Sequence, residues 1–426
     1  MVNILLALYL STLPFQFALS PFEGVDLALS RLFALLLFLV FLAKSLREKQ
    51  FRLPKPLPLF LLTTFLFLVT LSVFWSENRG WALRKSTFLW NFLPLLFVFY
   101  AALFRVSTRR LLIHSFFGGA VLVSFVGFFQ FTLQFFWGIE KAFSFWVRYI
   151  TPLFSGASFG DAVANYPSLL VNISGVTVMR LSAFFPDPHM CSFYLGMAVP
   201  FGLLLFCEKQ GRKRFVYGAL ALFIFIADLL TFSRGGYIGL VSGGIAFLFL
   251  QPNRIRKSFS PLLIGIFLPA LLIGIILSPV GERLWSSASL KDGSNVERLR
   301  LWQEASVSIR ENPILGTGIG NYSLSVKPTT TYREPIYVHN LFLDIAVEIG
   351  VFGALSFFAL LFLALIRSYT AFMKAGSLEQ GVVFVSLMIF LGHSLFETPL
   401  FSVHILPVLL FLLALSLSYR SSFEKV

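Results

Sequence analysis

Residues 336–366 read IYVHNLFLDIAVEIGVFGALSFFALLFLALI, and within them a hydrophilic segment gives way to a long apolar one. The hydrophilic segment, residues 281–338, contains 13 charged side chains. The apolar run that begins at residue 340 is long enough to cross the roughly 30 Å hydrocarbon core of a bilayer. The pattern therefore predicts a membrane-spanning helix, with His339 at the boundary between water and lipid.

The composition of the whole chain is that of an integral membrane protein. Of its 426 residues, 57% are hydrophobic and 13% are charged, whereas a soluble domain carries about 25% charged residues. The first apolar run lacks the basic start and the cleavage site of a signal peptide, so we interpret it as an anchor. The runs that we interpret as spans are residues 3–20, 25–43, 57–75, 86–104, 111–136, 188–207, 215–232, 236–251, 260–280, 340–366, 382–399 and 402–419. The sequence thus predicts an all-α polytopic fold of about 12 transmembrane helices.

The net charge of +14 would suggest a nucleic-acid partner in a soluble protein. Here more than half of the 34 Lys and Arg residues fall in short loops that follow even-numbered spans. Cytoplasmic loops of membrane proteins carry such an excess of basic residues. We therefore expect both termini in the cytoplasm, membrane lipids as surroundings, and no nucleic-acid partner.

The predicted spans divide the chain into three parts. Residues 1–280 hold the first nine spans and an outer loop, residues 137–187. Residues 281–338 form a large periplasmic loop, and residues 339–426 hold the last three spans. In the outer loop we expect four residues to break regular structure: Pro152, Gly156, Gly160 and Pro167.

The large loop contains the pattern of an amphipathic helix at about residues 296–310. Leu299, Trp302, Val307 and Ile309 recur at spacings that give this helix a partly apolar face. We expect an ordered helix there, lying on the membrane surface.

The predicted topology brings several unusual polar residues to one side of the membrane, namely Arg180, Arg234, His339, His393 and Glu397. Arg180 and Arg234 are each explained by solvation or by anchoring at the interface. The alternative is that both guanidiniums grip a pyrophosphate, since their planar forks match phosphate oxygens.

His339 also has two interpretations. It is either a hydrogen-bonded histidine at the interface or a base for a hydroxyl, which its near-neutral titration suits. Asn340, Asp344 and Glu348 follow on one helix face. Carboxylates inside a span normally face a cavity or the protein interior, which favours the functional interpretation.

A glycine-rich stretch, GTGIGNY at residues 316–322, is similar to a nucleotide loop but differs from it in one required position. Asn321 stands where the dinucleotide fingerprint needs glycine, and no strand precedes the stretch. We interpret it as a turn that follows the amphipathic helix. The sequence also lacks a Walker motif, a paired Asp-x-Asp and a Cys/His cluster, so we predict no cofactor and no metal.

Together these stretches resemble the O-antigen ligase superfamily, which includes O-antigen ligases, Wzy-type polymerases and pilin oligosaccharyltransferases. The matching residues are Arg180, FPDP at 185–188, TFSRG at 231–235, RLRLW at 298–302, NPILGTGIGNY at 312–322, HNLFL at 339–343 and EIG at 348–350. His189 departs from the family pattern, which more often has Asn after Asp-Pro.

The resemblance implies metal-independent transfer of a glycan from undecaprenyl pyrophosphate at the periplasmic face of the bacterial inner membrane. The acceptor of a ligase is lipid A–core. By this resemblance Arg180 and Arg234 hold the pyrophosphate, and His339 acts as base on the acceptor hydroxyl or orients it. The supporting candidates are Asp187, Arg298, Arg300, Trp302, Asn340, Glu348, His393 and Glu397.

Two alternatives stay open. A Wzy-type O-antigen polymerase needs the same donor site as a ligase. A lipid transporter or flippase would spread charged residues through the midplane of the membrane and often show repeat symmetry. The candidates here lie on one face, which favours the transferase.

Overall fold

The computed structural model describes residues 2–22, 25–165, 168–173, 175–250, 281, 293–332 and 336–419, and within them the chain is mainly helical. The helices are α1 (Val2–Thr12), α2 (Leu29–Glu48), α3 (Pro56–Ser72), α4 (Arg79–Phe92), α5 (Leu95–Ala102), α6 (Val106–Trp137), α7 (Ile139–Phe145), α8 (Thr151–Ser155), α9 (Ala157–Asn165), α10 (Pro188–Glu208), α11 (Gly211–Leu229), α12 (Arg234–Phe249), α13 (Gly293–Glu311), α14 (Tyr322–Val326), α15 (Leu341–Ala375), α16 (Leu378–Ser394) and α17 (Ile405–Leu417). The strands are β1 (Ala18–Phe22), β2 (Val25–Ala28), β3 (Leu170–Ile173) and β4 (Val176–Met179).

The protein is a multi-pass membrane protein. Among the described residues, α2, α6, α10 and α15 are long and apolar enough to cross a membrane, and α1, α3, α12, α16 and α17 belong to shorter apolar segments. Every predicted span that lies in the described residues coincides at least in part with a helix. The predicted span at 260–280 lies outside the described residues, and the total of twelve stays a prediction.

Two predicted spans are cut short or interrupted. The run at 3–20 is helical only to Thr12; Pro14 follows in a short 3-10 turn, and β1 then pairs antiparallel with β2, with Leu19 opposite Leu27. The run at 86–104 begins earlier, at Arg79, and is interrupted before α5 because Pro94 has no N–H to continue the helix. The fold therefore contains hairpins that an all-α prediction omits.

The outer loop, residues 137–187, is more regular than predicted. It holds α7 to α9 and the antiparallel hairpin of β3 and β4, although Pro167 lies outside the described residues. Two glutamines of α6 bind its main chain. Gln134 Oε1 accepts from Met179 N at 2.8 Å, and Gln130 Oε1 accepts from Ser182 N at 2.8 Å. These bonds satisfy buried main-chain donors and fix the segment that carries Arg180.

The kink in α15 positions the site. Gly350 has φ of +76°, which glycine adopts without strain. The turn after α13 inserts at this break: Val351 N donates to Pro313 O at 2.9 Å, and Thr317 N donates to Val347 O at 2.8 Å. The loop thus satisfies main-chain groups that the break in the helix frees, and the prediction of a turn at 316–322 is confirmed.

The amphipathic helix predicted at 296–310 is confirmed as α13, but its buried face is only partly as predicted. Trp302 and Ile309 pack against the protein, as expected. Leu299 and Val307 are 40% and 53% exposed, and it is Ala305 that is fully buried. The spacing shows that a helix forms, whereas its neighbours decide which side is covered.

Candidate active site

Glu397 is the centre of a cluster of basic side chains. It follows α16, is 2% exposed, and receives side chains from three other segments. Its Oε2 lies 3.1 Å from Nδ1 of His339, and its Oε1 lies 3.2 Å from Nη2 of Arg298. Nε2 of His189 is 3.8 Å from Oε1. Three basic residues that are far apart in sequence therefore converge on the carboxylate of Glu397.

The basic neighbours keep Glu397 ionised. Burial by itself raises the pKa of this carboxyl, but the neighbouring His339, His189 and Arg298 outweigh burial and hold the pKa well below its usual value. An ionised carboxylate only accepts hydrogen bonds, so Nδ1 of His339 is the donor. The other ring nitrogen of a neutral imidazole, Nε2, is then an acceptor and able to take a proton.

The main chain around His339 fixes the ring. His339 has φ of +53°, a conformation that non-glycine residues rarely adopt and that is often found at functional sites. Asn340 caps α15, because its Oδ1 accepts from Phe342 N at 2.9 Å. Trp302 Nε1 donates to Val338 O at 3.1 Å, and the ring of Tyr337 lies 4.0 Å from that of His339. Trp302 and Asn340, both predicted supporting residues, thus hold the segment that presents the histidine.

A hydrogen-bonded line leads from this cluster to the start of α12. Asp187 caps α10 by accepting from Met190 N at 2.9 Å. In the first turn of α10, His189 places Nδ1 2.9 Å from Ser233 Oγ, which is 3.2 Å from Nε2 of His393. The residue that departs from the family pattern, His189, therefore connects Glu397 to Ser233.

Arg180 and Arg234 lie behind the cluster. Arg180 is 5% exposed; its Nε donates to Thr231 O at 2.7 Å and its Nη1 to Ser168 O at 3.1 Å. Arg234 is 3% exposed and is the first residue of α12, after Phe232 with φ of +49°. The structure thus brings both predicted arginines to the turn at residues 231–234. Arg180 binds this turn through Thr231, and Arg234 ends it.

A cavity of about 490 Å³ opens in front of the cluster. Neither Arg180 nor Arg234 belongs to its described lining, whereas Arg298 does. Its wall carries the charged or titratable residues Lys85, Asp187, His189, Arg298, His339, Asp344, Glu348 and Glu397, and the aromatic residues Trp81, Phe159, Tyr322, Tyr332, Tyr337 and Phe401. The mixture of aromatic faces with a few converging polar groups is typical of a ligand site.

The carboxylate face of α15 lines this cavity as the sequence predicts. Asp344 and Glu348 are each 3% exposed, and Glu348 accepts from Lys85 Nζ at 2.8 Å. Lys85 was missed by the sequence analysis. The available signal was its position between predicted spans three and four, on the side where basic residues are few.

The remaining candidates lie further away. Arg300 does not join the cluster, because its guanidinium binds Glu297 and Glu304 on the exposed face of α13. His393 is fully buried and stacks on Phe193 with ring centres 3.5 Å apart, outside the cavity wall.

These features define a polytopic membrane protein with a polar, aromatic-lined cavity built around a histidine–glutamate pair. Residues 219–358 match the family model described as O-antigen ligase. This match confirms the resemblance drawn from the motifs, and it includes Arg234, Arg298 and His339. Arg180 and Glu397 lie outside the matched range.

Two curated proteins are similar to part of the chain, and both are named "Putative polysaccharide ligase". The protein from Rickettsia conorii is 24% identical over 171 residues, which cover 36% of this chain and 39% of that protein. The protein from Rickettsia bellii is 27% identical over 157 residues, which cover 34% and 38%. The chain thus matches about two fifths of the length of each of these relatives.

Proposed function

We propose that this protein is a metal-independent glycosyltransferase of the O-antigen ligase type. It moves a glycan from undecaprenyl pyrophosphate to a hydroxyl of lipid A–core, at the periplasmic face of the bacterial inner membrane, with both termini in the cytoplasm. The observation that carries the proposal is the pairing of His339 and Arg298 on one buried carboxylate, Glu397, at the wall of a single cavity.

The reaction follows from this pairing. Nε2 of His339 takes the proton of the acceptor hydroxyl, and the hydroxyl oxygen forms a bond to the anomeric carbon of the donor. The bond from that carbon to the pyrophosphate oxygen breaks, and undecaprenyl pyrophosphate leaves with the electron pair. Glu397 stabilises the imidazolium that forms, since its carboxylate lies 3.1 Å from Nδ1.

The leaving group is assigned to three arginines. Arg298 lies on the cavity wall, and Arg180 and Arg234 lie buried behind it. Burial raises the pKa of Asp187, which lines the cavity, to about 6, and the charge of Arg180 opposes this rise. Arg180 therefore influences the cavity wall electrostatically although it does not line the cavity. Permanent positive charge in a partly desolvated site stabilises the negative charge on a departing diphosphate. In this proposal the arginines take the role that a metal ion has in other glycosyl transfers.

The test is a transfer assay with purified protein in liposomes that contain a lipid diphosphate-linked glycan and lipid A–core, without ATP and with EDTA. We expect the glycan to appear on the acceptor and undecaprenyl pyrophosphate to accumulate in equal amount. Translocation of the lipid without transfer would support the flippase instead and would overturn the proposal.

Ligase and polymerase are separated in cells. Deletion of a ligase removes all O-antigen from lipopolysaccharide and leaves polymer on the lipid carrier. Deletion of a polymerase leaves a core that carries one repeat unit. A lipopolysaccharide gel of the deletion strain distinguishes the two, and we expect the first result.

A further inference from the structure

A second cavity, of about 340 Å³, adjoins the one that His339 lines. The two cavities share wall residues, among them Lys85, Asp187 and Tyr332. The second cavity is also lined by Arg31 of α2 and Arg84 of α4. The proposed reaction uses neither of these arginines.

Both guanidiniums are held by aromatic rings. Cζ of Arg84 lies 4.3 Å from the centre of the Tyr332 ring, and Cζ of Arg31 lies 5.6 Å from that of Phe88. Among the described residues, neither guanidinium forms an ion pair or a hydrogen bond with a carboxylate. Stacking on a ring orients the planar fork and keeps its N–H groups available for an anion.

The other charged groups of this cavity have partners of their own. Lys85 Nζ lies 2.8 Å from Glu348 Oε1, so this positive charge is paired. The carboxylate of Asp26 accepts from Ser158 Oγ at 2.8 Å. Asp187 caps α10 through Met190 N. Neutral donors hold the carboxylates of Asp26 and Asp187 in place without cancelling their charge, so the attraction for an acidic group is local to the two stacked guanidiniums of Arg31 and Arg84.

An apolar groove lies farther along α2, between α2, α3 and α4. Leu35 and Phe38, about one and two turns beyond Arg31, line a groove of about 470 Å³ together with Phe67 and Phe97. Asn91 of α4, which lines this groove, donates to the carbonyl oxygen of Arg31 at 3.2 Å. The groove therefore lies next to the part of α2 that carries Arg31. A molecule with an acidic head and a hydrocarbon chain matches this succession.

We propose that Arg31 and Arg84 form a second anion-binding subsite, which holds an acidic group, phosphate or carboxylate, on the lipid-anchored acceptor glycan. The inference rests on the proposed function, which places the donor pyrophosphate at the arginines around Glu397 and leaves the acceptor without a binding site. Because the two cavities share a wall, an acceptor held here extends a hydroxyl toward His339.

The test compares two acceptors, a phosphorylated lipid-anchored core oligosaccharide and the same molecule after chemical dephosphorylation. For Arg31→Gln and Arg84→Gln we expect the acceptor KM to rise about tenfold or more with the phosphorylated molecule, while the donor KM and kcat stay unchanged. The dephosphorylated acceptor should show the same KM with wild type and variants. Arg214→Gln is the matched control, since Arg214 also lies on an aromatic ring, that of Phe206, at 4.4 Å.

Binding of each acceptor, measured without donor, separates this inference from the proposed function. Absence of transfer by the wild type would overturn the function, whereas equal binding of phosphorylated acceptor by wild type and variants would overturn the subsite. A changed donor KM would assign the subsite to the donor and contradict the proposal. A defect that appears with both acceptors, and only in liposomes containing anionic phospholipid, would assign it to a membrane lipid and also contradict it.

Discussion

Nδ1 of His339 lies 3.1 Å from Oε2 of Glu397, although the two residues are 58 positions apart in the chain. This pairing joins the segment that begins α15 to the segment that follows α16. It sets the direction in which the imidazole donates, and it is the relationship on which the proposed chemistry depends most directly.

Replacement of either partner should therefore lower transfer. His339→Asn removes the base but keeps a residue type that tolerates the positive φ of this position. We expect it to lose at least about 100-fold in kcat, as does His339→Ala. Both variants should still insert and fold, and wild-type turnover by either would remove His339 from the mechanism.

Glu397→Gln is the companion experiment. The amide can also donate, so it no longer fixes Nδ1 of His339 as the donor. We expect kcat to fall about tenfold or more with little change in donor KM, measured in the same liposome assay. A variant that changes only donor KM would show that Glu397 acts through Arg298 and not through His339.

Arg234→Lys should be severely impaired although it keeps the charge. Arg234 is 3% exposed at the first turn of α12 and does not line the cavity, and a lysine ammonium cannot take the place of a buried planar guanidinium with its several donors. We expect transfer to fall about 100-fold. Arg214→Lys, on α11 and away from the cavity, is the control. Near-normal use of the lipid diphosphate by Arg234→Lys would show that a positive charge alone suffices at this position and would contradict the need for a guanidinium.

Asp187→Asn should stabilise the protein at neutral pH. Burial raises the pKa of Asp187 to about 6 in the folded state, whereas the unfolded value is about 3.9. The folded state thus binds this proton more tightly, and the group's contribution to stability falls as the pH rises from about 4 to about 6. Asparagine removes that loss and still caps α10.

The effect of Asp187→Asn is measured as thermal stability in detergent between pH 4 and pH 7. We expect a gain of about 1 to 2 kcal/mol at pH 7 that disappears near pH 4. Asp187→Ala also loses the cap, worth about 1 kcal/mol, and should gain less. A loss of stability by Asp187→Asn that is equal at both pH values would contradict the assignment of a buried, charged carboxylate.

Gly350→Ala should destabilise the kink of α15. The residue has φ of +76°, and a Cβ there would lie 2.0 Å from the carbonyl oxygen of Ile314. The backbone conformation alone costs about 1 to 3 kcal/mol for alanine, and the clash adds to it. Glu348, which pairs with Lys85 at the cavity wall, lies two residues before the kink, so transfer should fall together with the thermal midpoint.

Gly244→Ala, in α12, is the matched control for Gly350→Ala. A Cβ at Gly244 meets no atom within 4 Å, so we expect a small gain from helix propensity, about 0.5 to 1 kcal/mol. Equal behaviour of the two variants would show that the kink does not depend on glycine.

The apolar helices could be predicted from the sequence because membrane hydrocarbon imposes a minimum length and excludes charge. The run after residue 340 is helical as expected, and the pattern at 296–310 forms α13. The positions of Pro94 and Gly350, which interrupt the helices, depend on local chain chemistry and on the loop that inserts, and apolarity alone does not show them.

The sequence by itself determined that this is a multi-pass membrane protein and, through its motifs, that His339, Arg180 and Arg234 are candidates for one site. Only the tertiary structure decided that Glu397 links His339 to Arg298 and that Arg300 faces away. It also shows that Lys85 lines the cavity, whereas Arg180 and Arg234 do not. The reason is physical: periodicity and hydropathy describe how one segment meets its solvent, whereas contacts between segments far apart in sequence depend on how the helices pack.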